Sequence, residues 1–138
     1  MSCGFEYAAK VICGVQDNPR RSAVGTYTTT INIHNPWERE VSFLKKLALT
    51  FPRQDPDKEQ SPGEVVTISE RDVLGPDEAL AVDCVDISGH VAVPFLEGFV
   101  VLQSQASIDV TAVYTVTGRD RGQPSIDVEQ IRERFREG

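Results

Sequence analysis

The sequence predicts an all-β domain: a two-sheet antiparallel β-sandwich of about seven short strands with a short C-terminal helix or arm. Three observations predict it. Valine and threonine crowd into runs that alternate apolar and polar residues with the period of a half-buried strand. Turn signals rich in Pro, Gly, Asn and Asp divide those runs. No helix of any length is readable between them, which argues against alternating βαβ units. The 138 residues, 40% hydrophobic and 25% charged, suit one globular core that needs no metal or disulfide to fold.

The strands follow in order. An apolar-rich run from Glu6 to Val15 closes on the polar stretch Gln16 to Ser22, whose Asn18-Pro19 pair marks an exposed loop. From Val24 to Asn35 the alternation is clear, with Tyr27, Thr29, Ile31 and Ile33 on the buried face. Beyond the turn at Asn35 to Glu38, Val41, Phe43, Leu47, Leu49 and Phe51 share a row, but Lys45 falls in it too. A bulge at Lys45-Lys46 or an edge strand guarded by its lysine resolves that conflict, and the edge is the favoured reading. Pro52 to Gly63, with three prolines and several charges, reads as a long mobile loop. Strands resume at Glu64 to Ser69 and Ala79 to Val85 around the Gly75-Pro76-Asp77-Glu78 turn. Phe99 to Ser104 is apolar enough for a central strand, and Ile108 to Thr117 is expected to pair with it as a hairpin across Gln105-Ala106-Ser107.

Residues 1–124 form the expected sandwich domain and 125–138 an amphipathic tail. In that tail Asp127 and Gln130 resemble a capping box, and Val128, Ile131 and Phe135 share one face of a short helix. Such a segment persists by burying that face, on its own sandwich or on another subunit.

Composition limits function. With 14 basic and 21 acidic residues the formal charge is −7, and without a Lys/Arg cluster generic nucleic-acid binding is disfavoured. No apolar run approaches the roughly 20 residues of a bilayer span, so membrane insertion is not expected, and the first residues lack the pattern of a signal peptide. Cys3, Cys13 and Cys84 are odd in number and make no CxxC pair, so they read as buried thiols in a reducing cytoplasm.

Chemistry-bearing patterns are sparse. His34 and His90 have no ligand-like spacing with Cys13 or Cys84 for zinc or for a cysteine nucleophile. Asp55, Asp57 and Glu59 alternate like a calcium loop, but Gln60 stands where that loop needs glycine. Asp83, Asp86 and Asp109 are the carboxylates available for acid-base work, with Asp109 pointing to solvent, and no GxSxG or glycine-rich nucleotide motif occurs. No catalytic, cofactor or metal residue is therefore assigned. Trp37, alone of its kind, beside Pro36 reads as a lid or a contact anchor. The apolar, proline-interrupted stretch Val91 to Leu96, containing Phe95, reads as an end cap or a packing surface rather than a core strand. Trp37, Phe95, Val128, Ile131 and Phe135 are the interaction candidates.

The succession Ile31-Asn32-Ile33-His34-Asn35, Val41 to Phe51, Ala81 to Ile87 and Gly98-Phe99-Val100-Val101-Leu102-Gln103-Ser104 resembles the soluble bacterial sensory rhodopsin transducer family. It is also similar to a wider set of small bacterial proteins with the same Gln-Ser strand end. The likeness spans residues 24–117 and implies a β-sandwich that assembles into a cyclic oligomer and acts as an adapter. No functional residue of that family carries over. The leading expectation is a non-catalytic, homo-oligomeric cytoplasmic adapter or scaffold, with another protein as a further partner. The alternative is a small-molecule or carbohydrate-binding module that uses Trp37 and the loops at Asn18 to Arg21 and Asp55 to Glu59.

Overall fold

The computed structural model describes residues 4–52, 61–118 and 124–136. The expected calcium-like alternation at Asp55 to Glu59, and Cys3, lie outside them. The elements are β1 (Gly4–Gln16), β2 (Gly25–His34), β3 (Val41–Phe51), β4 (Val65–Leu74), β5 (Ala79–Asp83), α1 (Cys84–Ser88), β6 (Phe95–Ser104), β7 (Asp109–Gly118), β8 (Ser125–Gln130) and β9 (Arg134–Arg136). The chain is all-β, as its alternation predicts. Hydrogen bonding runs through nine strands as one antiparallel sheet in the order β4-β3-β6-β1-β2-β7-β8, with β5 added to β2 and β9 to β1. Among the described residues no helix is long and apolar enough to cross a membrane.

The core follows the alternation. Tyr7, Ala9, Val11 and Cys13 of β1 face inward with Ile31 and Ile33, Phe43 and Leu47, Val100 and Leu102, and Val110 and Ala112. β1 and β2 pair through their backbones only from Gly14 to Gln16. Deeper in the core the buried Thr29 replaces that ladder. Its Oγ1 accepts from Ile12 N–H and donates to Ile12 O, each at 2.9 Å, so both backbone groups are satisfied where the strands part.

Several expectations are corrected. β6 and β7 do not form a hairpin: β6 lies between β1 and β3, and β7 between β2 and β8. Central placement of β6 is nonetheless what its apolar run requires, because both its edges are paired. Phe95 and Leu96, expected in a cap, are its first two residues. β3 is not an edge strand. Lys45 sits at register shifts between β3 and β4, 9% exposed, with its Nζ 2.7 Å from Asp72 Oδ2. The bulge thus turns an inward lysine onto a carboxylate instead of leaving an unpaired charge in the core.

The tail is extended rather than helical. β8 pairs with β7 from Thr111↔Gln130 to Val116↔Ser125, and β9 pairs with β1. A free strand edge offers each residue backbone partners, which overrides a marginal helical propensity. Val128, Ile131 and Phe135 therefore do not share a face. Ile131 is buried and its N–H donates to Val110 O at 2.9 Å, whereas Val128 and Phe135 are exposed. β9 is anchored at Glu6, which accepts from Arg134 Nε and Gln103 Nε2 at 2.8 Å each. Burial opposes ionisation of Glu6, but those hydrogen bonds outweigh it and hold the carboxyl below its usual range.

Candidate binding site

At the end of the sheet where β1 runs into β2, Gln16 organises the loop. Its buried amide donates to Asn18 O at 2.7 Å and Ser22 Oγ at 3.0 Å, and accepts from Asn18 N–H at 2.8 Å. Asn18 Oδ1 then accepts from Arg20 N–H at 3.0 Å, an Asx turn of the kind the Asn-Pro pair predicts. The loop delivers Arg21 over Phe51, with the guanidinium carbon 3.8 Å from the ring centroid, and its Nη2 lies 3.1 Å from Glu97 Oε2.

Beneath this pair the side chains are aromatic. Phe95 packs with Phe51 and with Tyr27 at centroid distances of 5.9 Å each. Gly14 lets β1 approach segment 91–95 closely: its φ is +109°, and a Cβ there would meet Pro94 O. Val15 N–H donates to Pro94 O at 3.0 Å. These contacts shape a half-open cavity of about 500 Å³ lined by Val15, Phe51, Pro52, Val93, Pro94 and Phe95 together with Gln16 to Asn18 and Arg21. It falls within the usual size range of ligand pockets, roughly 300–1,000 Å³.

Behind the same wall, Cys13 and Cys84 are joined as a disulfide across 71 residues of sequence. This corrects the reading of two separate buried thiols: parity and local spacing carry no information about a pair brought together by folding. The bond ties β1 to the start of α1, whose cap is Asp83. Asp83 Oδ1 accepts from Val85 N–H at 3.0 Å and Asp86 N–H at 3.1 Å, and Asp86 Oδ2 accepts from Asp83 N–H at 3.0 Å. Both carboxylates are thus committed to the helix cap.

The opposite end of β2 holds a second polar cluster. His34 Nδ1 lies 2.8 Å from Asp109 Oδ2 and Nε2 lies 2.7 Å from Asp77 Oδ1, so each ring nitrogen has its own carboxylate. Those hydrogen bonds, to Asp109 first and Asp77 next, raise the imidazole pKa. Asp77 reaches His34 from the predicted turn, where its φ is +62° and Glu78 N–H donates to Gly75 O at 3.1 Å. Beside it the buried Asn35 donates to Arg39 O at 2.7 Å and Gly75 O at 2.9 Å, and accepts from Trp37 N–H at 2.9 Å. Trp37 Nε1 donates to Ser107 O at 2.6 Å, which straps the indole over the β6–β7 turn while leaving it 43% exposed.

The five candidates thus do not converge on one site. Phe95 floors the cavity, Trp37 covers the far end, and Val128 lies on β8. Ile131 follows β8 into the core, and Phe135 stacks edge-on against Phe5 at 5.9 Å. Sequence reasoning pointed to the Asn18 to Arg21 loop but not to Phe51 and Val93 as its counterparts. Only the β3–β6 pairing, which sets Phe51 opposite Glu97, brings them together.

No family model matches the chain, and no curated protein matches it. Among solved structures, the crystal structure of Thermotoga maritima 1070 is similar, with a TM-score of 0.56 at 8% identity over 96% of this chain and 96% of that one. At that identity the likeness shows a shared fold alone.

Proposed function

We propose that this chain is a non-catalytic, self-assembling adapter whose subunits join along β8. The carrying observation is that all six residues of β8 are exposed, Ile126 at 67% and Val128 at 65%, on a strand with one edge unpaired among the described residues. Native proteins normally bend, shorten or charge such an edge, because its free N–H and C=O groups template another strand. We read β4-β3-β6-β1 and β5-β2-β7-β8 as the two layers of a sandwich, continuous only where β1 meets β2. On that reading, pairing two β8 strands extends one layer across two subunits.

Charge selects the register. Antiparallel pairing about Ile126 sets Ile126 opposite its own copy and Asp127 opposite Ser125. Pairing about Val128 would set Asp127 opposite Glu129, and like charges directly opposed are destabilising. In the register about Ile126 that residue meets its own copy, and covering it contributes at most roughly 1.5–3 kcal/mol per subunit before ordering costs, enough to support a concentration-dependent dimer. Light scattering after size-exclusion chromatography tests this: the mass should exceed 15.2 kDa and fall to it in Ile126→Lys. A strict monomer at every micromolar concentration would sink the proposal. The cytoplasmic expectation rests on unpaired thiols, and the Cys13–Cys84 bond weighs instead toward an oxidising compartment.

The cavity favours a second reading, a small-molecule or carbohydrate module at the β1–β2 end of the sheet. Binding there would leave β8 free, so the two readings are compatible.

A further inference from the structure

Arg21 is held in the manner of an anchor. Phe51 covers one face of its guanidinium and Glu97 engages Nη2, so among the described residues the side chain is fixed with one of its five donors engaged. The fork borders a cavity whose apolar walls include Val15, Pro52, Pro94 and Phe95, beside the polar Gln16 to Asn18. Val15 is 55% exposed at the mouth, an apolar surface that a seated ring would cover.

We infer that this cavity takes a small ring-bearing monocarboxylate, its ring against Val15, Pro94 and Phe95 and its carboxylate on the free edge of Arg21. The inference rests on the ligand-module reading and names its ligand class. A planar carboxylate matches the guanidinium fork, and a charge-assisted hydrogen bond is roughly twice as strong as a neutral one. The net charge of −7 opposes anions only weakly at this range, since solvent-exposed charges are screened beyond about 8 Å at physiological salt. Asp17 at the rim and Glu97 behind Arg21 set the limit: they leave room for one negative charge and disfavour a dianion such as phosphate.

Calorimetric titration of the full chain, disulfide intact, with phenylacetate, phenylacetamide and phenethylamine tests this. Phenylacetate should bind about tenfold more tightly than the amide, a difference of about 1.4 kcal/mol. Arg21→Gln should bring the two to parity, and Val15→Asp, at an exposed position that leaves the core intact, should weaken phenylacetate selectively. Equal or tighter binding of the amide or amine, or a carboxylate preference that survives Arg21→Gln, overturns the carboxylate assignment while leaving a ligand cavity. If none of the three binds at millimolar concentration, the assignment falls, and a glycan panel that is silent as well takes the ligand-module reading with it.

Discussion

Among the described residues β4 and β8 each have one unpaired edge, and they handle it differently. β4 pairs with β3 through a ladder interrupted at Phe43/Lys45 and again at Lys45/Lys46. It carries Glu70, Arg71 and Asp72 in sequence, and Asp72 is spent on Lys45. Bulges and charges of this kind bend an edge away from regular pairing. β8 meets β7 in unbroken register over six pairs and presents Ile126 and Val128 on one row, with Asp127 on the other. On the proposed assembly, exposed hydrophobicity alone does not decide which edge pairs. Val65 and Val73 of β4 are exposed as well, but its ladder is irregular, whereas that of β8 is continuous.

If assembly belongs to β8, damage elsewhere should lower stability without changing mass. The largest effect is expected from Cys13→Ala with Cys84→Ala. Releasing a bond that closes 71 residues should cost about 2–4 kcal/mol, mainly by freeing the unfolded chain. Denaturant melts should show that loss while the oligomer's mass holds at protein concentrations where the variant is folded. A stability change below about 0.5 kcal/mol would mean the bond contributes little to the fold.

Next comes the β4 side. Asp72→Ala leaves Lys45 facing the core without its carboxylate. Breaking a fully buried pair costs about 3–5 kcal/mol, and because Asp72 is partly exposed about 1–3 kcal/mol is expected here. Lys45→Met, which removes the charge and keeps the volume, should cost less than Asp72→Ala. The reverse order would show that the ion pair itself, rather than relief of a buried charge, holds β4. A smaller stability effect is expected from Ile126→Lys on β8, within about 0.5 kcal/mol as for other surface substitutions when compared at concentrations where the parent is monomeric, together with a drop in mass where the parent is assembled. That opposite pattern, mass without stability, distinguishes the two edges.

Much of this fold was legible because it depends on local pattern. The β2 row Thr29, Ile31 and Ile33 is buried as its alternation requires, and the Gly75 to Glu78 turn forms where Pro76 places it. What escaped depends on partners distant in sequence. Adjacent strands β6 and β7 look like a hairpin, but each finds its neighbours among β1, β3, β2 and β8, and no short-range signal distinguishes those pairings. Lys45 announced a conflict in β3, yet only the pairing of β3 with both β4 and β6 decides between bulge and edge. The spacing of Val128, Ile131 and Phe135 suits a helix, and only the open side of β7 makes a strand better. In the candidate site the Asn18 to Arg21 loop was visible from its turn chemistry. Its aromatic floor was not, because Phe51 and Phe95 lie 44 positions apart and meet through sheet register.

The smallest effect is a pH-dependent one, and it bears on how firmly β7, the strand that carries β8, is held. Asp109 opens β7 and shares His34 with Asp77, so the imidazole joins the end of β2 to β7 and to the β4–β5 turn. Because both carboxylates favour the imidazolium, the folded pKa of His34 lies above its unfolded value of about 6.5. The folded state therefore binds the proton more tightly than the unfolded state does. The resulting stabilisation is fully present below about pH 6.5, where both states are protonated, and is lost as pH rises through the raised folded value. His34→Gln should accordingly lower the melting temperature most on the acidic side of that window, while the aspartates remain ionised, and the gap to the parent protein should shrink as pH rises. Since the cluster is exposed to solvent, the gap should also narrow in high salt. Paired melts across pH 5–9 check this. A gap that is constant across the range, or that widens toward alkaline pH, would show that His34 acts through packing rather than through its charge.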